Sequence, residues 1–499
     1  MSAKLYQNWT LALILGLLVF RVAALLMFPL GLHGDEAQYW AWSKNLDWGY
    51  FTKPPLIAWV IASTTSVFGD AEWAVRISSP FLHSITGFVI FLTGRVLFNA
   101  QTGFWAACIY LFMPALWLSS LIVSTDVSLL LCWAVALHAA VLMRRDGPSW
   151  PRGLQLGLAI GIGMLAKYAM LFFVLALLAG MIFDAPSRRA FLSRYGLAAG
   201  VIAAVLITPN VMWNARHDFA TLSHTAANAN LGGSDASLPV HPIELISFLI
   251  DQFGVFGPIS FAVLLCGFWM AIMRKLSPGA LWISIFSAMS LCVICAEALL
   301  SRANANWAVT SYVAGSILAA HIGISIWPRA KRALKFGVVF QNAIGLLAIS
   351  AVMSPSLTNT VGLANSVKRL RAWPETKTTL EGIYKAGHEG QKYEAIAFDK
   401  RIIFYDLLYY GLDGVAPMRM WLYRSHPENH AELTKPLAAT SSEDAPILIV
   451  NYYDIYEEQL REDFARLEAL PPLDIDLGGG KRRQLNVWAG YGYTPTKTR

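Results

Sequence analysis

The chain has 499 residues, of which 56% are hydrophobic and only 14% are charged. Soluble domains carry about 25% charged residues, so this composition excludes an ordinary soluble protein and indicates a polytopic membrane protein. The formal net charge is +7, and in a membrane protein such an excess usually lies in cytoplasmic loops. Nucleic-acid binding is not expected, because no basic patch with interleaved aromatic residues is present.

Long apolar runs alternate with charged segments along the first 353 residues, and they predict about eleven membrane-spanning helices. These runs are residues 9–30, 73–98, 103–122, 125–143, 154–166, 168–183, 195–211, 243–272, 279–300, 306–327 and 334–353. The basic residues between the runs should face the cytoplasm, which places the N-terminus there and the chain after residue 353 outside. These basic residues are Arg144, Arg145, Arg152, Arg188, Arg189, Arg194, Arg274, Lys275, Arg329, Lys331, Arg332 and Lys335. The outer face then collects two large loops, residues 31–71 and 212–242.

The apolar stretch from Gly153 to Phe183 is too long for one straight helix and short for two full ones. Basic residues precede and follow it, so both of its ends should lie in the cytoplasm. We therefore predict a hairpin of two short helices, with Lys167 and Tyr168 at its tip.

Two adjacent acids, Asp35 and Glu36, follow the first apolar run. A helix that begins at Gly-Asp suggests a capping role for these acids. The functional alternative is that one carboxylate acts as a general base at the membrane face. Tyr39, Trp40 and Trp42 follow at a spacing that suits a helix lying at headgroup depth.

Further ionisable residues are expected on the same face. Lys53 precedes Pro54-Pro55, which prevent a helix from beginning at Lys53; a lysine held there suits a phosphate, although contact with a lipid headgroup is an equal alternative. Asp126, Lys167 and Arg302 lie within or beside apolar runs, where an ionisable residue is a functional candidate by default. For Asp126, a role as helix N-cap is the alternative.

After residue 353 charged residues become frequent and long apolar runs stop, which predicts a small outer α/β domain over residues 354–499. The Gly478-Gly479-Gly480 run predicts a hairpin turn, since no helix follows that would complete a phosphate loop. The predicted elements are strands at Tyr393–Phe398 and Ile447–Val450, a helix at Tyr456–Leu470 and edge strands within Arg482–Tyr493.

The order of these motifs resembles that of the GT-C glycosyltransferases that use polyprenyl-phosphate sugars. This group includes the protein O-mannosyltransferases, the aminoarabinose transferases of lipid A and the galacturonosyltransferases of rhizobial lipopolysaccharide, and the pattern looks closest to the last. The motifs that match are Gly34-Asp35-Glu36-Ala37 with Tyr39-Trp40, Lys53-Pro54-Pro55-Leu56, Ser124-Thr125-Asp126, Gly163-Met164-Leu165-Ala166-Lys167-Tyr168, Pro209-Asn210-Val211-Met212-Trp213-Asn214 with His217-Asp218, and Arg302-Ala303-Asn304-Ala305-Asn306-Trp307.

The resemblance implies a mainly α, GT-C type membrane protein and assigns roles to individual residues. Asp35 would deprotonate the acceptor hydroxyl, and Asp126 would be a second acid in the site. Lys53, with Lys167 and Arg302, would neutralise the lipid-linked phosphate, so that no metal or cofactor is required. The other residues expected to contact substrate are Glu36, Tyr39, Trp213, Asn214, Asn304 and Trp307.

The resemblance further implies an inverting transfer of a sugar, a uronic acid or an aminosugar among the options, from polyprenyl phosphate to lipid A or lipopolysaccharide in the bacterial inner membrane. A protein O-mannosyltransferase is an alternative that uses the same catalytic loop. Two other classes are a flippase for lipid-linked sugars and a non-catalytic scaffold. No inverted repeat favours the flippase, and a scaffold would need no convergence of Asp35, Lys53 and Asp126 on one cavity.

Overall fold

The computed structural model describes residues 2–228, 240–326, 330–424, 426–439, 445–452 and 456–495. Three predicted features lie partly outside these ranges. They are the basic residue Arg329, position 327 at the end of the predicted crossing 306–327, and residues 229–239 of the predicted outer loop. The helices up to residue 353 are α1 (Ala3–Leu26), α2 (Gly34–Ser43), α3 (Leu56–Phe68), α4 (Glu72–Arg76), α5 (Ser78–Leu97), α6 (Ala100–Leu111), α7 (Pro114–Ser119), α8 (Thr125–Asp146), α9 (Trp150–Ala166), α10 (Leu171–Phe183), α11 (Ala185–Phe191), α12 (Arg194–Arg216), α13 (Ala220–Asn228), α14 (Pro242–Phe256), α15 (Pro258–Ile272), α16 (Pro278–Leu300), α17 (Ser311–His321) and α18 (Ala330–Met353).

Six helical segments of the described chain are long and apolar enough to cross a membrane, or seven if the bent pair α14–α15 is one span. Three shorter apolar segments lie at Leu56–Phe68, Tyr168–Phe183 and Ser311–Ile324. The chain is therefore a polytopic α-helical membrane protein, and the predicted number of about eleven crossings stays a prediction. The six spans are Ala3–Leu26, Glu72–Leu97, Thr125–Asp146, Arg194–Arg216, Pro278–Leu300 and Ala330–Met353.

One helix break lies between two predicted runs, and two others lie within predicted runs. The predicted break at Lys167 is confirmed: α9 ends at Ala166, and Lys167 has extended backbone angles of φ −162° and ψ 136°. The helices over the predicted single crossings 243–272 and 103–122 are each interrupted, and the number of crossings that they make stays a prediction. The first is bent by 118° at Gly257, whose φ of +103° is left-handed and precedes Pro258, which lacks a backbone N–H. In the second, α6 stops before Pro114 for the same reason.

The chain after Met353 forms a five-stranded sheet flanked by short helices. Its strand order is β2-β1-β3-β5-β4, with β1 parallel to β2 and β3, and β5 antiparallel to β3 and β4. The strands are β1 (Ile396–Phe398), β2 (Met418–Met420), β3 (Ile447–Asn451), β4 (Phe464–Gly478) and β5 (Lys481–Tyr493), and the helices are α19 (Pro355–Thr360), α20 (Ala364–Val367), α21 (Trp373–Ala386), α22 (Arg401–Tyr409), α23 (His430–Thr434) and α24 (Glu457–Asp463).

In this region the predicted strands at 393–398 and 447–450 are confirmed as β1 and β3, and one predicted turn is confirmed, while two other predictions are wrong. The predicted helix 456–470 ends at Asp463, because the following residues pair with β5 and Pro471-Pro472 cannot continue a helix. Strand β5, predicted at an edge, lies between β3 and β4. The hairpin turn at Gly478-Gly479-Gly480 is confirmed, since it joins β4 to β5 with φ angles of 78°, 64° and 71° that favour glycine.

The C-terminal sheet region is docked closely on helix α2. Gly34, the first residue of α2, lies against Ile402 and Asp406 of α22, where a Cβ atom would overlap Ile402. Gly31 N–H donates to the Leu370 carbonyl oxygen at 3.0 Å. These contacts bring residues far apart in the sequence to the start of α2, where Asp35 lies.

Candidate active site

The start of α2 is capped in a way that leaves the Asp35 carboxylate uninvolved. The N-cap residue is His33, whose Nδ1 accepts from the Asp35 N–H at 3.3 Å, while Glu36 Oε2 accepts from the His33 N–H at 2.9 Å. This reciprocal pair satisfies two backbone donors of the first turn. The predicted capping role is therefore confirmed for Glu36 and wrong for Asp35.

Glu36 is held in a buried ion pair. Its oxygens accept from Arg76 Nε at 2.9 Å and Nη2 at 2.6 Å, and from the Val123 N–H at 2.8 Å. Only 3% of the Glu36 side chain is exposed. These bonds join α2 to α4 and to the loop before α8, and they favour a structural role for Glu36 over the predicted contact with substrate.

The Asp35 carboxylate faces a cation from the C-terminal region. Arg401 Nη1 donates to Asp35 Oδ1 at 3.1 Å and also to Gln38 Oε1. Burial raises the pKa of Asp35, but the positive charge of Arg401 and its hydrogen bond, together with the charge of Lys53, outweigh burial and leave this pKa below its ordinary value. Asp35 is therefore ionised at neutral pH, and 44% of its side chain is accessible.

Lys53 lies near four other charged groups. Burial lowers the pKa of Lys53, as does the positive charge of Lys167, while Asp126 and Asp35 oppose that shift. Within the described ranges, no carboxylate lies within 4 Å of its ammonium group. The backbone of this turn is fixed by a hydrogen bond from the Tyr50 N–H to the Lys53 carbonyl oxygen at 3.1 Å.

Asp126 and Lys167 form the second charged pair of the site. Lys167 Nζ donates to Asp126 Oδ1 at 2.6 Å, and Asn306 Nδ2 donates to the other carboxylate oxygen at 3.0 Å. Asp126 lies in the first turn of α8 and Lys167 at the break between α9 and α10. The helix break thus places Lys167 against Asp126.

Tyr39 lies between the two acids. It is 6% exposed and its ring is 5.4 Å from that of Trp42. Burial raises the pKa of Tyr39 well above its ordinary value, and the charges of Asp35 and Asp126 raise it further. Since both carboxylates influence one hydroxyl, the structure brings together Asp35, Tyr39, Lys53, Asp126 and Lys167.

Other predicted site residues lie outside this cluster. Trp213 is buried and its Nε1 donates to Asp47 Oδ2 at 2.7 Å, while Asn214 Oδ1 accepts from the Thr221 N–H at 3.2 Å. Both residues therefore hold the outer loops in place.

In the predicted motif 302–307, the residue that contacts the cluster is Asn306 and not the predicted Arg302, Asn304 or Trp307. Arg302 and Asn304 are exposed, and Trp307 is half-buried against the membrane core. Asn306 alone of this motif bonds to the cluster, through Asp126.

A cavity of about 1000 Å³ opens beside the cluster. The end of α12 and α13 form one wall, with Arg216 and His224, and the C-terminal region forms the other, with Lys400 and Arg401. Arg401 both lines this cavity and bonds to Asp35, so its guanidinium group connects the cavity wall to the carboxylate.

Sequence reasoning missed Arg401, Gln38, Asn306 and Arg76. A signal existed for Arg401, because Asp399-Lys400-Arg401 directly follows the buried strand β1, and polar residues at the carboxyl end of a parallel strand often line ligand sites. In the part of the chain that the structure describes, no group of three or more His, Cys, Asp or Glu side chains is arranged to hold a metal ion.

Comparison with known proteins identifies the family. Residues 52–213 match the dolichyl-phosphate-mannose-protein mannosyltransferase family. The chain is 35% identical over 325 residues to the lipid A galacturonosyltransferase RgtD of Rhizobium johnstonii, an alignment that covers 64% of this chain and 67% of that protein. The chain belongs to the GT-C glycosyltransferases. The predicted family is thereby confirmed.

Further relatives of this glycosyltransferase agree with that assignment. The chain is 26% identical over 293 residues to the lipopolysaccharide core galacturonosyltransferase RgtA of Rhizobium johnstonii. This alignment covers 56% of each chain. The fold of the chain is similar to that of ArnT from Cupriavidus metallidurans in the crystal structure bound to undecaprenyl phosphate, with a TM-score of 0.65, 15% identity and coverage of 97% of this chain and 98% of that one. This likeness confirms the predicted GT-C fold.

Proposed function

We propose that this glycosyltransferase moves a uronic acid from a polyprenyl-phosphate donor to a hydroxyl group of lipid A or a lipopolysaccharide-type acceptor. The observation that carries the proposal is the convergence of an ionised acid, Asp35, with the cations Lys53 and Lys167 beside a cavity of about 1000 Å³. The names of the relatives RgtD and RgtA support the choice of sugar and acceptor.

The chemistry follows from the charges of the site. Asp35 accepts the proton of the acceptor hydroxyl as the oxygen forms a bond to the anomeric carbon. The bond from that carbon to the phosphate oxygen breaks on the opposite face, its electron pair leaves with polyprenyl phosphate, and the configuration inverts. Lys53 binds the departing phosphate, since a fixed cation stabilises charge that develops in the transition state. Asp126 holds Lys167 in position for the same phosphate.

We further propose that the site lies on the outer face of the inner membrane, with the N-terminus in the cytoplasm. Helix α8 has 22 residues and is therefore about 33 Å long, so Asp126 at its start and Arg144 near its end lie on opposite membrane faces. Basic residues belong on the cytoplasmic face. Residues 1–353 then form the catalytic membrane domain, and residues 354–499 form an outer α/β domain.

The test is a transfer assay with a matched pair of lysine variants. Purified protein in lipid nanodiscs is supplied with polyprenyl-phosphate galacturonic acid and lipid A, and the product is detected by mass spectrometry. Lys53→Gln should reduce the rate by about 10²–10³-fold, because a charge that stabilises the leaving phosphate is lost. The control Lys44→Gln removes a half-exposed lysine of the same outer loop that pairs with Asp70, and it should transfer normally.

Two results contradict the proposal. Wild-type protein that transfers no uronic acid to any lipid A or lipopolysaccharide acceptor would refute the assigned reaction. Equal rates for Lys53→Gln and the wild type would refute the role of Lys53.

Arg401 is expected to control the pH dependence of the reaction. Its charge lowers the pKa of Asp35, so Asp35 stays ionised, and active as a base, down to acidic pH. In Arg401→Gln burial remains while the counter-charge is lost, so the pKa of Asp35 rises. The loss of activity at low pH should then begin about 1–3 pH units higher, which is the usual effect of a nearby opposite charge.

The measurement is kcat/KM as a function of pH, which reports groups of the free enzyme. Arg401→Lys, which keeps the charge, should restore most of the wild-type profile. A uniform loss of activity in Arg401→Gln, with no displacement along the pH axis, would mean that Arg401 has only a structural role.

A further inference from the structure

A second, smaller cavity lies within the C-terminal region. Its volume is about 440 Å³, and none of the described residues that line it is Asp or Glu. Two aromatic side chains, Trp373 and Tyr452, also line it. The cations that line this cavity, named here the basic pocket, are Lys368, Arg369, Lys400, Arg482 and Arg483.

The sheet topology explains why these cations meet. Lys400 follows the carboxyl end of β1, and Tyr452 follows the carboxyl end of the parallel neighbour β3. Strand β5 is antiparallel to β3, with Asn451 opposite Asn486, so the arginines at its start lie beyond the same edge. Crevices at the carboxyl ends of parallel strands are common ligand sites.

The cations of the basic pocket are only partly neutralised. Arg483 donates to the Ala372 and Arg371 carbonyl oxygens at 3.0 and 2.8 Å, and Arg482 pairs with Asp474 at 2.6 Å. Within the described residues, Lys368 and Arg369 make no ion pair closer than 4 Å.

The pKa of Lys400 is lowered in the basic pocket. Burial lowers the pKa of Lys400, the charges of Arg369 and Arg401 lower it further, and Tyr452 and Asp399 oppose the shift. An anion bound among these groups would stabilise all the cations at once.

The basic pocket adjoins the larger cavity beside the active site. Lys400 and Ile402 line both this pocket and the cavity of about 1000 Å³. The intervening residue, Arg401, bonds to Asp35. Lys400, Arg401 and Ile402 are consecutive residues, and consecutive Cα atoms are about 3.8 Å apart. The basic pocket and the contact with Asp35 are therefore separated by a short distance.

The basic pocket also lies close to the membrane. The turn that carries Lys368 and Arg369 accepts the hydrogen bond from Gly31 N–H at the Leu370 carbonyl oxygen. Gly31 is only five positions beyond Leu26, the last residue of the apolar helix α1. A lipid headgroup at the membrane surface is thus within reach of the pocket.

We propose that the basic pocket binds an anionic group, a phosphate or a carboxylate, on the saccharide headgroup of the acceptor lipid. The bound anion holds the headgroup across the two cavities while one of its hydroxyl groups reaches Asp35. The inference rests on the proposed function, because it assigns this ligand to the acceptor of that reaction.

The experiment compares two double variants that each remove two positive charges from the same region. Lys368→Gln with Arg369→Gln alters the basic pocket at side chains that make no described ion pair. Lys377→Gln with Lys385→Gln alters α21 around Glu381, outside the pocket. Full-length protein in zwitterionic nanodiscs is titrated with phosphorylated lipid A, dephosphorylated lipid A, lipopolysaccharide core with acidic sugars, and inorganic phosphate.

The pocket variant should bind phosphorylated lipid A or the acidic core about tenfold more weakly than the wild type, a change of about 1.4 kcal/mol. Its KM for that acceptor should rise by a similar factor, while kcat and the KM for the donor stay unchanged. Dephosphorylated lipid A should bind the two variants alike, and the α21 variant should match the wild type.

Unchanged acceptor binding in the pocket variant would overturn the proposal, as would an equal loss in both variants. Tight binding of inorganic phosphate to the pocket, with lipid binding unaffected by the variant, would assign the pocket to a free anion and overturn it too. The two proposals fail separately. Lipid binding through the pocket without any sugar transfer would refute only the reaction, and transfer with unaltered acceptor binding in the variant would refute only the pocket.

Discussion

Asp35→Asn is expected to lower the rate of sugar transfer by about 10²–10⁴-fold, the usual contribution of a general base. The amide has nearly the shape of the carboxylate but cannot accept the proton of the acceptor hydroxyl. Because His33 and Glu36 cap α2, the substitution leaves the helix start intact, and the protein should fold and bind donor normally. Initial rates at saturating donor and acceptor measure the effect.

Asp413→Asn is a suitable control, since it removes an exposed carboxylate of the C-terminal region. It should transfer at the wild-type rate. Full activity of Asp35→Asn, together with an inactive Asp126→Asn protein, would move the role of base from Asp35 to Asp126.

Glu36→Gln is expected to reduce stability by about 3–5 kcal/mol, which is the usual cost of removing one partner from a buried ion pair. Arg76 is 1% exposed and Glu36 is 3% exposed, so the substitution leaves the Arg76 charge in the interior without its counter-ion. The contacts of α2 with α4 and with the loop before α8 should loosen as a result. Thermal unfolding in nanodiscs measures the effect as a lower apparent melting temperature.

Asp70→Asn provides the matched comparison, because it disrupts the half-exposed pair of Asp70 with Lys44. Exposed ion pairs contribute about 0–1 kcal/mol, so its melting temperature should stay near that of the wild type. If Glu36→Gln unfolded at the same temperature as Asp70→Asn while losing transfer activity, Glu36 would be a substrate contact instead.

The active-site cluster could be predicted in part, because several of its members lie at element boundaries that the chain itself signals. Lys53 stands before two prolines, and Lys167 stands at a charge-flanked interruption of an apolar run. The distribution of basic residues predicts that Asp35, Asp126 and Tyr39 share one membrane face. The structure brings all five together.

The partners of these residues could not be predicted in the same way. Arg401 is 366 positions from Asp35, and Asn306 is 180 positions from Asp126. Such contacts depend on how whole segments pack, and local patterns carry no information about that packing. Strand β5 illustrates the same limit, since its pattern indicated a strand but not its neighbours on both sides.

Composition and the order of short motifs established the class of protein and its family, and they predicted one membrane face for the acids and cations, because hydropathy, charge and backbone stiffness act over a few residues at a time. Only the tertiary structure decided that His33 caps α2 and frees Asp35, that Glu36 is enclosed with Arg76, and that the C-terminal region brings Arg401 to the base. These contacts form because distant segments pack against one another and exclude water between them, and that packing is a property of the folded chain as a whole.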